Sequence, residues 1–159
     1  EQSFRMLDSA LAWHPNFFPA LIFGAIFRFQ DGSPARAAEF LRRAEDVQSV
    51  NPLVQTMQEV LAAESAMGAT KSANDRAALH RRQALAFASV DMREDAIDAW
   101  RGVLDEIPEQ PEALRALTGL MTDKRRYGPA REYARRWLAA APGDQQAAQA
   151  LTELENRWQ

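Results

Sequence analysis

The feature that most constrains this chain is an internal period. Laid over one another, Ala77–Gln110 and Pro111–Asp144 match at an interval of 34 residues (111 − 77). Pro108 falls on Pro142, Ala96 on Ala130 and Ile107 on Ala141. In the first half of each unit, His80, Ala84 and Phe87 fall on Leu114, Thr118 and Met121. A unit of this length holds two helices and cannot bury its apolar face alone, so stacked neighbours must share a continuous core. The residue types suit that task. Ala84 and Ala96 are small where the two helices of a hairpin would cross, while Phe87 and Trp100 would fill the space between one hairpin and the next. Pro108 ends the second helix because it cannot donate to the helical ladder. The second unit has Ala134 in place of Trp100, and Trp137, three residues on, is expected to restore the volume.

The rest of the chain follows the same grammar. Alanine, leucine, arginine and glutamate dominate, which favours helix. Apolar residues recur at spacings of three and four, not in alternation. The pattern predicts an all-α chain of about nine helices, near 2–14, 18–30, 34–47, 52–66, 74–90, 93–106, 111–123, 127–140 and 144–157. Helix-stopping residues mark the breaks: Pro15-Asn16, Asp31-Gly32-Ser33-Pro34, Asn51-Pro52, Gly68 to Asn74, Pro108, Gly128-Pro129 and Pro142-Gly143. Connections this short make neighbouring helices antiparallel.

A large residue, a small one four later and an aromatic three after that, then a small and a large residue in the second helix and a closing proline, resembles the tetratricopeptide repeat. The resemblance implies a right-handed superhelical solenoid of antiparallel helix pairs. It extends in both directions. Residues 145–159 look like a terminal capping helix, with Leu151 kept and Glu155 where an aromatic would stand. Ser3, Leu7, Ala10 and Pro15 match the second helix of a unit whose first helix is absent. With a start at Glu1 in place of methionine, this is expected of a piece of a longer protein. Between them, Gly24, Phe27, Ala37, Leu41 and Ala44 keep the pattern over 17–49 if the loop after Gln30 is one residue longer. The pattern fails over 50–76, which holds one amphipathic helix and the small polar stretch Gly68–Asn74. The expected organisation is an N-terminal helical block at 1–66 with one repeat-like unit, an irregular junction at 67–76, and two repeats plus a cap at 77–159.

Composition narrows the function. With 47% hydrophobic and 26% charged residues, the chain can build a packed core. Nineteen basic against 22 acidic residues give a net charge of −3, which argues against nucleic acid as partner. The absence of cysteine removes disulfides, thiolate metal sites and a cysteine nucleophile. No apolar run approaches the ~20 residues of a membrane span, and Pro19, Gly24 and Arg28 break the longest one. The two histidines have structural explanations: His14 precedes Pro15 at a helix end and His80 fills a packing slot of the repeat. No metal-ligand spacing, nucleophile elbow or phosphate-cradling glycine loop is present. No catalytic residue, metal or cofactor is therefore expected.

A binding role is what the resemblance implies. The first helices of such units line an inner groove. On that face fall Arg81, Leu85 and Ser89 in one unit, Glu112, Arg115, Gly119 and Thr122 in the next, and Gln149 in the cap. Arg81 and Arg115 lie one period apart and would offer stacked guanidinium groups to an acidic side chain or a terminal carboxylate. The asparagines of the family's carboxylate clamp are replaced by Leu85 and Ala116, which argues against that particular role. An alternative surface is the helix Phe17–Phe29, apolar nearly all round, with Phe18, Phe23 and Phe29 as candidates for a partner or dimer contact. The basic cluster Arg125, Arg126, Arg131, Arg135 and Arg136 is interleaved with Asp123 and Glu132 and reads as a solvated face. The expected function is a protein-interaction scaffold binding a protein or peptide, with cytoplasm or periplasm both open. An accessory domain fused to a transferase or hydroxylase, and a periplasmic scaffold of polysaccharide export, are the alternatives.

Overall fold

The computed structural model describes residues 2–156, with side chains described from Arg5 onward. Glu1, the side chain of Ser3 and the last residues of the expected cap, 157–159, lie outside the described residues. Among the described residues there are nine α-helices and no strand: α1 Gln2–Trp13, α2 Phe18–Gln30, α3 Pro34–Gln48, α4 Pro52–Ala69, α5 Ala73–Ser89, α6 Arg93–Glu106, α7 Pro111–Asp123, α8 Tyr127–Ala140 and α9 Gln145–Asn156. Pro34, Pro52 and Pro111 each open a helix, where the missing N–H would have no partner anyway. The chain divides into two compact units, one up to Gly68 and one from Ala69 onward.

In the first unit α2 packs against α1 and α3. Its core is Ala20, Leu21, Ile22, Ala25 and Ile26 of α2 with Ala37, Leu41 and Ala44 of α3, and α4 buries Val54, Met57, Val60 and Ala63. Gly24 is required by a close approach: a Cβ there would stand 2.5 Å from the Phe40 ring of α3. The register differs from the expected one in an instructive way. The turn after Gln30 is not longer than the others; three residues separate the helices in α2–α3, α5–α6 and α7–α8 alike. Each turn places its middle residue at positive φ: Gly32 at 72°, Asp91 at 59° and Arg125 at 57°. In each, the next amide reaches back to close the helix: Ser33 N donates to Arg28 O at 2.8 Å, Met92 N to Phe87 O at 3.0 Å and Arg126 N to Met121 O at 2.8 Å. Ala25, and not Gly24, therefore corresponds to Ala84, and Arg28, not Phe27, takes the aromatic slot of Phe87. Ala37 and Leu41 keep the correspondence to Ala96 and Trp100 at that same interval.

In the second unit α5 pairs with α6 and α7 with α8, α6 packs on α7, and α9 closes on α8. The small residues of the motif are all buried: Ala84, Ala96, Thr118, Ala130 and Ala134. So are Phe87, Trp100, Leu114, Leu117, Met121 and Trp137, each large side chain contributing about 1.5–3 kcal/mol by leaving water. Trp137 thus fills space beside Ala134, and its indole N–H donates to Asp144 at 3.1 Å. His80 packs its ring against Gly102, consistent with a structural role. One contact recurs in both units. Arg136 Nη2 donates to Pro108 O at 2.8 Å, and Arg43 Nη2 donates to Pro15 O at 2.7 Å, each across 28 residues. In both, an arginine of one second helix caps a carbonyl beyond the end of the preceding one.

The expected polar junction is mostly helix. α4 runs through Gly68 to Ala69 and α5 starts at Ala73, leaving Thr70–Ser72 between them. Ser72 caps α5, its Oγ accepting from Asp75 N at 3.3 Å, and Thr70 Oγ1 accepts from Ser72 N at 3.3 Å.

Candidate protein-binding groove

The sequence places Arg81, Arg115 and Gln149 one period apart on α5, α7 and α9, the first helices of the second unit. Four of the expected groove residues, Arg115, Gly119, Thr122 and Gln149, line one open cleft of 370 Å³. Thr118, Asp123, Trp137, Gln146, Ala150, Glu153 and Leu154 complete its walls. Buried Trp137 and Leu154 provide the apolar floor, and Gly119 leaves the α7 wall without a side chain. A Cβ on Gly119 would meet nothing within 4 Å.

Arg81, Leu85, Ser89 and Glu112 do not line this cleft. Leu85 is 46% exposed on α5, and Ser89 turns its hydroxyl back to Ala86 O at 2.7 Å. Arg81 is engaged: its Nε and Nη2 donate to Glu112 at 2.7 and 2.9 Å, a two-pronged ion pair from α5 to α7. This corrects the expectation of two unmatched guanidinium groups, and it also places Glu112 on Arg81 and not on Arg115. The hydrogen bond from Arg81, with the Arg81 and Arg115 charges, holds the Glu112 carboxyl below the usual carboxylate range. Arg115 is exposed, and among the described residues no side chain pairs with it.

Asp123, Gln146 and Glu153 were not among the sequence candidates. The period carries the signal for all three, since Asp123 stands one repeat after Ser89, Gln146 one after Glu112 and Glu153 one after Gly119.

Other ion pairs tie helices together. Arg76 of α5 holds Glu106 of α6 through Nε at 2.7 Å and Nη2 at 2.6 Å. Glu94, at the start of α6, accepts from Lys124 and, at 2.8 Å, from Arg126, linking the two hairpins. Arg135 reaches Glu155 of α9 at 3.3 Å. Much of the basic cluster is thus committed to such contacts.

The alternative hydrophobic surface lies in the first unit. Met6, Leu7, Ala10, Phe17, Pro19, Ala20, Phe23 and Phe27 line an apolar groove of 430 Å³ between α1 and α2. Phe23 is 47% exposed and stacks on Phe27, ring centres 6.3 Å apart. Phe18 and Phe29 are half-buried and lie outside this groove. Among the described residues no three His, Asp or Glu side chains gather to hold a metal ion, and no helix is long and apolar enough to cross a membrane.

No family model matches the sequence, and no curated protein matches it. Solved structures do. Pseudomonas aeruginosa PilF matches 96% of this chain and 73% of its own at 18% identity, with a TM-score of 0.51. Cut9–Hcn1, of an APC/C hetero-tetramer, is matched at 18% identity and a TM-score of 0.49, and MamA at 16% and 0.48, each over 96% of this chain. The chain spans 32% of the matched chain in Cut9–Hcn1 and 74% of MamA. At these identities the likeness is one of fold. Antiparallel hairpins of equal turn length, small residues at the helix crossings and the match to PilF give the chain the fold of a tetratricopeptide-like helical repeat array.

Proposed function

We propose that this chain is a protein-interaction module and that its partner lies in the cleft between α7 and α9. The observation that carries the reading is the gathering of Arg115, Gly119, Thr122 and Gln149, residues of successive first helices, around one open cleft. The cleft has an apolar floor under convergent polar groups, the usual make-up of a recognition site. A module of this kind binds and does not catalyse.

Blocking the cleft tests this. A Cβ at Gly119 meets nothing within 4 Å, so Gly119→Leu adds its side chain on the cleft wall. Binding of peptides selected from a displayed random library on the parent protein should fall at least tenfold, a loss of about 1.4 kcal/mol. Helical circular dichroism should not change. Undiminished binding would place the partner elsewhere. The apolar groove beside Phe23 is the second reading, favoured by the exposure of Phe17 and Phe23 in a groove without a charged lining residue.

A further inference from the structure

The geometry points to a basic, extended peptide segment as the occupant of the α7–α9 cleft, its lysine or arginine held by Asp123 and Glu153. This rests on the reading of that cleft as the partner site, and it reverses the ligand charge that a stacked arginine pair would select. The reversal begins with Arg81, which Glu112 already holds on both prongs. Of the two stacked cations, only Arg115 reaches the cleft, and Glu112 lies within range of its charge.

Against that single cation stand two carboxylates. Asp123 and Glu153 both line the cleft, both are exposed, and among the described residues no ion pair engages either one. Arg93 is near enough to feel the charge of Asp123, but Asp91 holds its guanidinium at 2.6 Å. The neutral groups lean the same way. Thr118 Oγ1 donates to Leu114 O at 2.8 Å and Thr122 Oγ1 to Thr118 O at 2.8 Å, so both hydroxyls keep only lone pairs for a ligand. The indole N–H of Trp137 is used on Asp144, and one amide N–H of Gln149 on Glu153 at 3.1 Å. What remains is the Asp123 and Glu153 carboxylates and the two threonine oxygens as acceptors, with Arg115 and the amides of Gln146 and Gln149 as donors. It suits backbone N–H groups and a cationic side chain whose methylenes lie on Trp137 and Leu154. Arg115, at the α7 side, is left for a ligand carbonyl.

Two carboxylates, with no third His, Asp or Glu gathered beside them among the described residues, suit an organic cation better than a metal ion. Charge complementarity of this type sets which partner is accepted and how fast it arrives.

The test uses the whole chain and three random peptide pools, each with one central position fixed as lysine, glutamate or serine, compared at low and high salt. The lysine pool should be retained best, and more weakly at high salt. The pair Asp123→Asn with Glu153→Gln, which keeps side-chain shape, should reduce that retention about tenfold or more, as for charge-assisted hydrogen bonds. Arg115→Ala, which removes a cation from the lining, should widen the margin of the lysine pool over the glutamate pool. Preference for the glutamate pool, lost in Arg115→Ala and in Gly119→Leu, would overturn the basic-ligand proposal while leaving the cleft as the binding site. Retention of the lysine pool that survives Gly119→Leu, or no retention of any pool, would overturn both.

Discussion

Two glycines in helices of the second unit should respond to alanine with opposite signs. Each substitution removes the helix-interior penalty of glycine, about 0.8–1 kcal/mol. At Gly119, on α7, the added methyl meets nothing within 4 Å, so Gly119→Ala should stabilise by about that amount. At Gly102, on α6, it would stand 2.6 Å from His80 Nδ1 and 2.8 Å from Cγ and Cε1. The ring must move, and overpacking of this type costs about 1–3 kcal/mol. The propensity gain offsets part of that, leaving Gly102→Ala destabilised by about 1 kcal/mol. His80 is only half-buried, so its ring can swing and the cost should stay near the middle of that range, not at its top. Urea melts followed by circular dichroism read both variants, and the double variant His80→Ala, Gly102→Ala completes a cycle. Without the ring, alanine at Gly102 should become stabilising, as at Gly119. If Gly102→Ala alone stabilised as much as Gly119→Ala, the close packing of α5 on α6 would be refuted.

Three further outcomes follow from the packing and the ion pairs. Trp100→Ala should cost about 3–5 kcal/mol, because the indole is 4% exposed between hairpins; a melt matching the parent would contradict the repeat register. Hydrogen bonds from Arg76, from Arg81 and from Lys124 with Arg126 hold Glu106, Glu112 and Glu94 below the usual carboxylate range. Their stabilisation is present above the ordinary glutamate range and is lost as pH falls through the lowered values. In acid melts the stability gap between the parent and Glu106→Gln should therefore close toward low pH, and a gap independent of pH would refute the pair. Limited proteolysis should cut first at Thr70–Ser72, the short connection after the end of the first compact unit, and cleavage inside 77–141 would count against that division.

Much of this architecture is legible in the chain because repeats state each packing rule more than once. Ala84 with Thr118 and Ala96 with Ala130 mark helix crossings, and the proline-opened helices mark their own starts. The register of α2 was harder to read. Gly24 and Phe27 satisfy the motif as residue types, yet the turn around Gly32 shifts the true correspondence by one, to Ala25. In an apolar helix several registers look alike, and only the left-handed residue of the turn separates them. Periodicity gathers Arg115, Gly119, Thr122 and Gln149 on one cleft, but it cannot show which charges are already spent. The Arg81–Glu112 pair joins residues 31 apart on different hairpins, and its geometry depends on how those hairpins stack. Asp123 reads in the sequence as part of the solvated face around the basic cluster, and the motif assigns no residue type to its position or to that of Glu153.

The central claim, that a partner lies between α7 and α9, is tested most directly by crosslinking in the cells that make this protein. A photo-reactive amino acid is placed at Gln149, on the cleft, and separately at Phe23, on the apolar groove. The account predicts a discrete protein adduct from Gln149 that disappears when Gly119→Leu is added. An adduct from Phe23 alone, or one from Gln149 that persists with the cleft blocked, would contradict it.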